Sequence, residues 1–150
     1  MADVFISYHE ASAGEIARQV ADALAHSGIS CWYANRDLSP DFVTAIVQEI
    51  ENCKVFLLIL NEQSAHSQHV ATEMALAFRR VMNYESVAIV PFHVDNGQLS
   101  DDMRYYLNRF QIVDGCPPDE ERIKALTKQV AKILNRKRPL QHQAAAQPPL

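Results

Sequence analysis

Apolar residues along this chain follow two alternating rhythms. Short, nearly unbroken apolar runs occupy residues 3–8, 29–33, 54–60, 86–92 and 110–114. Between them, apolar positions recur at three- and four-residue intervals: Ile16, Val20 and Leu24; Phe42, Ile46 and Ile50, flanked by Val43 and Val47; Val70, Met74, Ala77, Phe78 and Val81; Leu99, Met103, Tyr106 and Leu107; Ile123, Leu126, Val130, Ile133 and Leu134. A run of strand length without alternation suits a strand buried on both faces, and a stripe at 3.6-residue spacing is the buried face of a helix. Strand and helix thus alternate through short connections. That order predicts an α/β domain, a three-layer flavodoxin-like sandwich whose five-stranded parallel sheet carries helices on both faces.

Local signals sharpen the element ends. Ser12-Ala-Gly-Glu15 has the spacing of a capping box that starts the first helix, and Gly28 supplies its left-handed stop. Ser39-Pro40 reads as the entry to the second helix and Pro117-Pro118 as the opening of the last. Pro91 lacks a ladder donor, which places the fourth strand nearer the sheet's edge. The run 54–60 reads as the central strand. Ligand crevices of such sheets lie beyond the carboxyl ends of the strands, so residues 61–67 and the first turns of the next helix are where chemistry is to be sought. Glu73 falls there, at the edge of the stripe between Val70 and Ala77, half buried and able to face a pocket. The competing reading is a solvated helix glutamate.

Composition narrows the functional classes. A chain of 150 residues with 48% hydrophobic content can bury a sizeable core in one domain. Fourteen Lys and Arg against eighteen Asp and Glu, net charge -4, argue against nucleic acid as the main partner. Without a long apolar span or a leader-like start, no membrane association is expected. Cys31, Cys53 and Cys116 form no CxxC pair and read as reduced thiols of a cytoplasmic protein. Four unclustered glycines exclude a Rossmann or phosphate-loop nucleotide site, and Ser7-Tyr8 and Asn61 stand where a two-component receiver needs carboxylates. His9, His66, His69 and His93 lack the spacing of a zinc motif, so no metal is expected. Beyond the basic end of the last helix, residues 138–150 have neither periodicity nor bulk; the domain is expected to span 1–137 and the remainder to be a flexible linker toward a further C-terminal domain.

The motifs themselves carry a resemblance. Asp3-Val-Phe-Ile-Ser-Tyr8 resembles the opening of Toll/interleukin-1 receptor (TIR) domains. Gly28-Ile-Ser-Cys-Trp-Tyr-Ala-Asn-Arg-Asp-Leu38 resembles their second strand and following loop, in the Cys-Trp-x-Ala-x-Arg-Asp form of a bacterial branch, and residues 46–67 resemble the second helix, third strand and serine-containing turn. Glu73 falls on the family's catalytic glutamate. Two positions depart from the pattern: His69 stands where many members have Trp, and the region of Asp41 lacks a frequent Gly.

The resemblance implies an NAD+ glycohydrolase of a prokaryotic immune system, cleaving the nicotinamide–ribose bond to nicotinamide and ADP-ribose or a cyclic isomer. It assigns catalysis to Glu73 and substrate binding to Tyr8, Trp32, Arg36, Asp37, Ser67 and His69, with NAD+ as substrate and no cofactor. It also implies activation by self-association through TIR–TIR contacts. Two alternatives come from other classes: a non-catalytic TIR–TIR adaptor, and a nucleoside deoxyribosyltransferase-like enzyme, which shares a similar fold and a glutamate.

Overall fold

The computed structural model describes residues 1–33 and 40–137. In chain order the elements are β1 (Val4–Ser7), α1 (Glu10–His26), β2 (Cys31–Tyr33), α2 (Pro40–Asn52), β3 (Val55–Leu60), a 3-10 turn (Ser64–His66), α3 (Gln68–Met82), β4 (Ala88–His93), α4 (Asp101–Leu107), β5 (Val113–Asp114) and α5 (Glu120–Lys137). Among the described residues the sheet has five strands in the order β2-β1-β3-β4-β5, and every ladder is parallel. From β1 the chain first winds outward to β2 and then returns to place β3 on the other side. The switch point therefore lies between β1 and β3, where a parallel sheet opens its crevice.

Strand alternation divides the core into two layers. Val4, Ile6 and Tyr8 join Val55, Leu57 and Ile59 under α1 and α5, while Phe5, Phe56, Leu58 and Leu60 pack under the opposite helices. Register sets Phe5 beside Trp32 and Phe56, and its ring lies 5.4 Å and 5.6 Å from theirs. Ser7, two residues on, points to the same face as Phe5. All six residues of β3 are fully buried, as the central strand of a covered sheet must be. β4 is second from an edge, and the β5 ladder engages Phe92 and His93, leaving Pro91 outside it.

Several ends differ from the sequence reading. Helix α1 starts at Glu10 with His9 as N-cap and no side-chain capping bond, because the Ser12 hydroxyl bonds His9 Nδ1 and Asn61 instead. Gly28 behaves as expected: at φ +75° its N–H donates to Ala25 O while Ile29 N–H reaches Leu24 O. Val43 is 49% exposed, so the α2 core stripe is Phe42, Ile46 and Ile50. Strand β5 is two residues long, since Phe110 turns to pack against Phe78. α5 begins after the prolines, where the Asp119 carboxylate accepts from Arg122 N–H. Residues 34–39, with Arg36, Asp37 and Ser39, and the expected linker 138–150 lie outside the described residues.

Candidate functional site

The site is built where β1 and β3 end. After Leu60, Asn61 and Ser64 lock the turn reciprocally: Asn61 N–H donates to Ser64 Oγ (2.8 Å), Ser64 N–H to Asn61 Oδ1 (2.8 Å), and Ser64 Oγ–H to Asn61 O (2.9 Å). The Asn61 amide also donates to Ser12 Oγ (3.0 Å), which stands 2.7 Å from His9 Nδ1, so the turn is tied to the start of α1. Ser67 then caps α3, its hydroxyl accepting from Val70 N–H (3.3 Å). A short, capped turn leaves the first residues of α3 little freedom in phase.

That phase places Glu73 inside. The sequence predicts a half-buried carboxylate; in the structure Glu73 is only 3% exposed, because its helix edge faces the end of β1. There the buried Ser7 hydroxyl donates to Glu73 Oε1 at 2.6 Å. A carboxylate taken out of water needs such donors, and one made to an ionised acceptor is short and strong.

Beside it lies a crevice. One cavity of about 400 Å³ is lined by Tyr8, His9, Glu10, Ala11, Ser67 and His69, and an adjoining one of about 500 Å³ by His9, Glu62, Gln63, His66, Ser67 and His69. They share His9, Ser67 and His69. The structure thus brings Tyr8, Ser67 and His69 together at one crevice. Glu73 is not among the described lining residues of either cavity; it sits one helical turn beyond His69.

Trp32 stands elsewhere. Its half-buried ring packs between Phe5 (5.4 Å) and Phe42 (6.2 Å), on the sheet face that Ser7 shares. Tyr8, on the other face, lies 6.1 Å from Tyr33 while also lining the crevice. Arg36 and Asp37 fall outside the described residues. Sequence reasoning passed over Ser7 as a site residue and used His9 and His66 only in weighing a metal. The available signal for Ser7 was a lone hydroxyl in a buried apolar strand run. Among the described residues no group of three or more His, Cys, Asp and Glu is arranged to hold a metal ion, and no helix is long and apolar enough to cross a membrane.

Comparison with known proteins places this geometry. The family model described as the TIR domain matches residues 4–127. No curated protein matches the chain by sequence. Among solved structures, the TIR domain of the Toll-related receptor TRR-2 from Hydra magnipapillata aligns over 90% of this chain and 100% of its own, with TM-score 0.68 and 19% identity. A metazoan TIR-STING receptor from C. gigas, solved in complex with 2',3'-cGAMP, aligns over 85% of this chain and 39% of its own, with TM-score 0.67 and 23% identity. The RPS4 and RRS1 TIR domain heterodimer aligns over 87% of this chain and 96% of its own, with TM-score 0.66 and 18% identity. At these identities the likeness speaks for the fold.

Proposed function

The chain belongs to the TIR domain family, and from that premise we propose that it is an NAD+ glycohydrolase of the bacterial type, with Glu73 as the catalytic carboxylate. The observation that carries this reading is the buried Glu73 held by Ser7 at the switch point between β1 and β3, next to a crevice of several hundred Å³. The chemistry suits one carboxylate. Nicotinamide in NAD+ is already a cationic leaving group, so the second carboxyl that protonates an ordinary glycosidic oxygen is not needed. Glu73 holds the ribose hydroxyls and stabilises the oxocarbenium-like transition state, in surroundings where its charge is weakly screened. Water then takes the ribosyl carbon to give ADP-ribose, or the adenine of the same molecule takes it to give a cyclic isomer.

Tyr8, Ser67 and His69 form the substrate wall in this reading. Trp32 presents aromatic surface from the β2 side, and Arg36 with Asp37 complete the set of substrate-binding residues. Copies assemble through TIR–TIR contacts, one copy completing the pocket of the next, in the cytoplasm and as part of a prokaryotic antiviral defence. A second reading, a non-catalytic TIR–TIR adaptor, is favoured by one observation: Glu73 is 3% exposed and absent from the described crevice lining.

The deciding experiment is NAD+ consumption by the wild-type domain and by Glu73→Gln, both concentrated on a clustering support, with products separated by chromatography. Nicotinamide release by the wild type and a loss of at least ~100-fold in the variant establishes the hydrolase. Equal inactivity of both favours the adaptor reading, or a requirement for the further C-terminal domain expected from the sequence.

A further inference from the structure

We infer that Ser7 is the positioning residue for Glu73, setting the orientation of its carboxylate in the NAD+ cleavage reaction; the inference rests on the hydrolase reading above. Ser7 breaks the pattern of its strand. Its neighbours Val4, Phe5 and Ile6 are fully buried apolar residues, and Ser7 itself is fully buried at the carboxyl end of β1, beside Leu58 of β3. A hydroxyl there gains nothing from burial and costs free energy unless it is hydrogen-bonded, so its retention in an apolar layer calls for a partner. The partner lies 66 residues away: Ser7 Oγ–H donates to Glu73 Oε1 at 2.6 Å.

The hydroxyl is itself held rigidly. Ser7 is the last residue of β1, and two residues before it Phe5 is packed between Trp32 and Phe56 on the same sheet face. Pairing with β3 continues through Ser7, so the backbone on which Oγ is mounted belongs to the ladder and not to a loop. A short bond from a donor mounted on the ladder restrains one carboxylate oxygen of Glu73, and with it the way the carboxylate faces. Transition-state stabilisation depends on that orientation, because the ribosyl charge develops in one place and a carboxylate turned away from it reorganises at a cost. Ser7 touches no substrate in this scheme. It acts through Glu73.

The test compares kcat and KM for NAD+ in the wild type, Ser7→Ala, Ser7→Thr and Ser7→Cys on the same clustering support, with circular dichroism reporting the fold. Ser7→Ala removes the donor and is expected to lower kcat by about 10- to 100-fold while KM stays within ~3-fold. Ser7→Thr restores the hydroxyl and is expected to recover most of kcat. Ser7→Cys keeps a γ atom in place with only a weak donor and is expected to behave like Ala, which decides the matter even where the alanine variant does not fold. A wild-type kcat in both Ala and Cys variants overturns the inference and leaves the hydrolase reading standing, as does a rise in kcat, which would make Ser7 a restraint on Glu73. Equal losses in Ala, Cys and Thr also overturn it, since the hydroxyl is then not what matters. A folded wild type that releases no nicotinamide overturns both.

Discussion

Cys53 shows how one side chain records its surroundings. It closes α2 just before β3, almost wholly buried, and its thiol donates to Ile50 O at 3.3 Å. Burial pushes its pKa from 9.0 up to about 11, against the opposing pull of the Arg80 guanidinium. The folded state therefore keeps a proton that the unfolded chain releases. That contribution is complete below pH 9 and is lost as pH rises from 9 toward 11, so stability falls across the window. Urea unfolding at pH 8.5 and 10.5 should show Cys53→Ala losing roughly 2 kcal/mol less than the wild type between the two values, and iodoacetamide at pH 8 should spare Cys53 until denaturant is added. At this scale the sequence was partly legible. Glu73 could be singled out because strand end and helix phase are local quantities, but its full burial could not, since that depends on how closely β1 approaches α3. Ser7 went unnoticed as a site residue for the same reason: its partner is visible only once the sheet is assembled.

Arg80 does for two helices what caps do for one. From the last turn of α3 its guanidinium donates to Ile50 O (2.8 Å) and Cys53 O (2.6 Å) at the end of α2, and its Nε pairs with Glu85 at 2.9 Å. Those carbonyls are among the acceptors that a helix end leaves without an intrahelical donor. Arg80→Ala should cost about 2–3 kcal/mol in denaturant unfolding, and Arg80→Lys should recover less than half of it, because a single ammonium cannot span both carbonyls and Glu85. Element order, type and parallel arrangement were readable from periodicity alone. Element ends were not. The capping box at Ser12 has the right spacing, yet Asn61, 49 residues away, claims the hydroxyl, and the N-cap falls three residues earlier, at His9. Phe110 has strand character, yet the aromatic cluster of Phe78, Tyr105 and Tyr106 draws it out of the sheet. In both cases a distant contact outweighed a local preference worth about 1 kcal/mol.

For the whole molecule, the proposed function makes activity a property of the assembly. If one copy completes the pocket of another, nicotinamide release per molecule should rise steeply with density on the clustering support and approach zero in dilute solution; activity proportional to concentration throughout would mean that a single copy holds a complete site. Fold class was legible in full because the alternation of five strands with helices admits few arrangements. The position of the crevice followed from that fold, and the resemblance names Tyr8, Ser67 and His69 among its walls, but His9 and His66 required the structure, since they converge from two separate segments. The strand order also bears on how the chain is made. Of the five strands of this sheet β1 comes first in the chain, yet it ends up between β2 and β3. Until residue 60 has emerged, Val4, Phe5 and Ile6 present an unpaired apolar edge, an open template for other nascent chains. The hazard of misassembly is therefore concentrated in the interval between the emergence of β1 and that of β3, and fragments ending before Val55 carry it permanently.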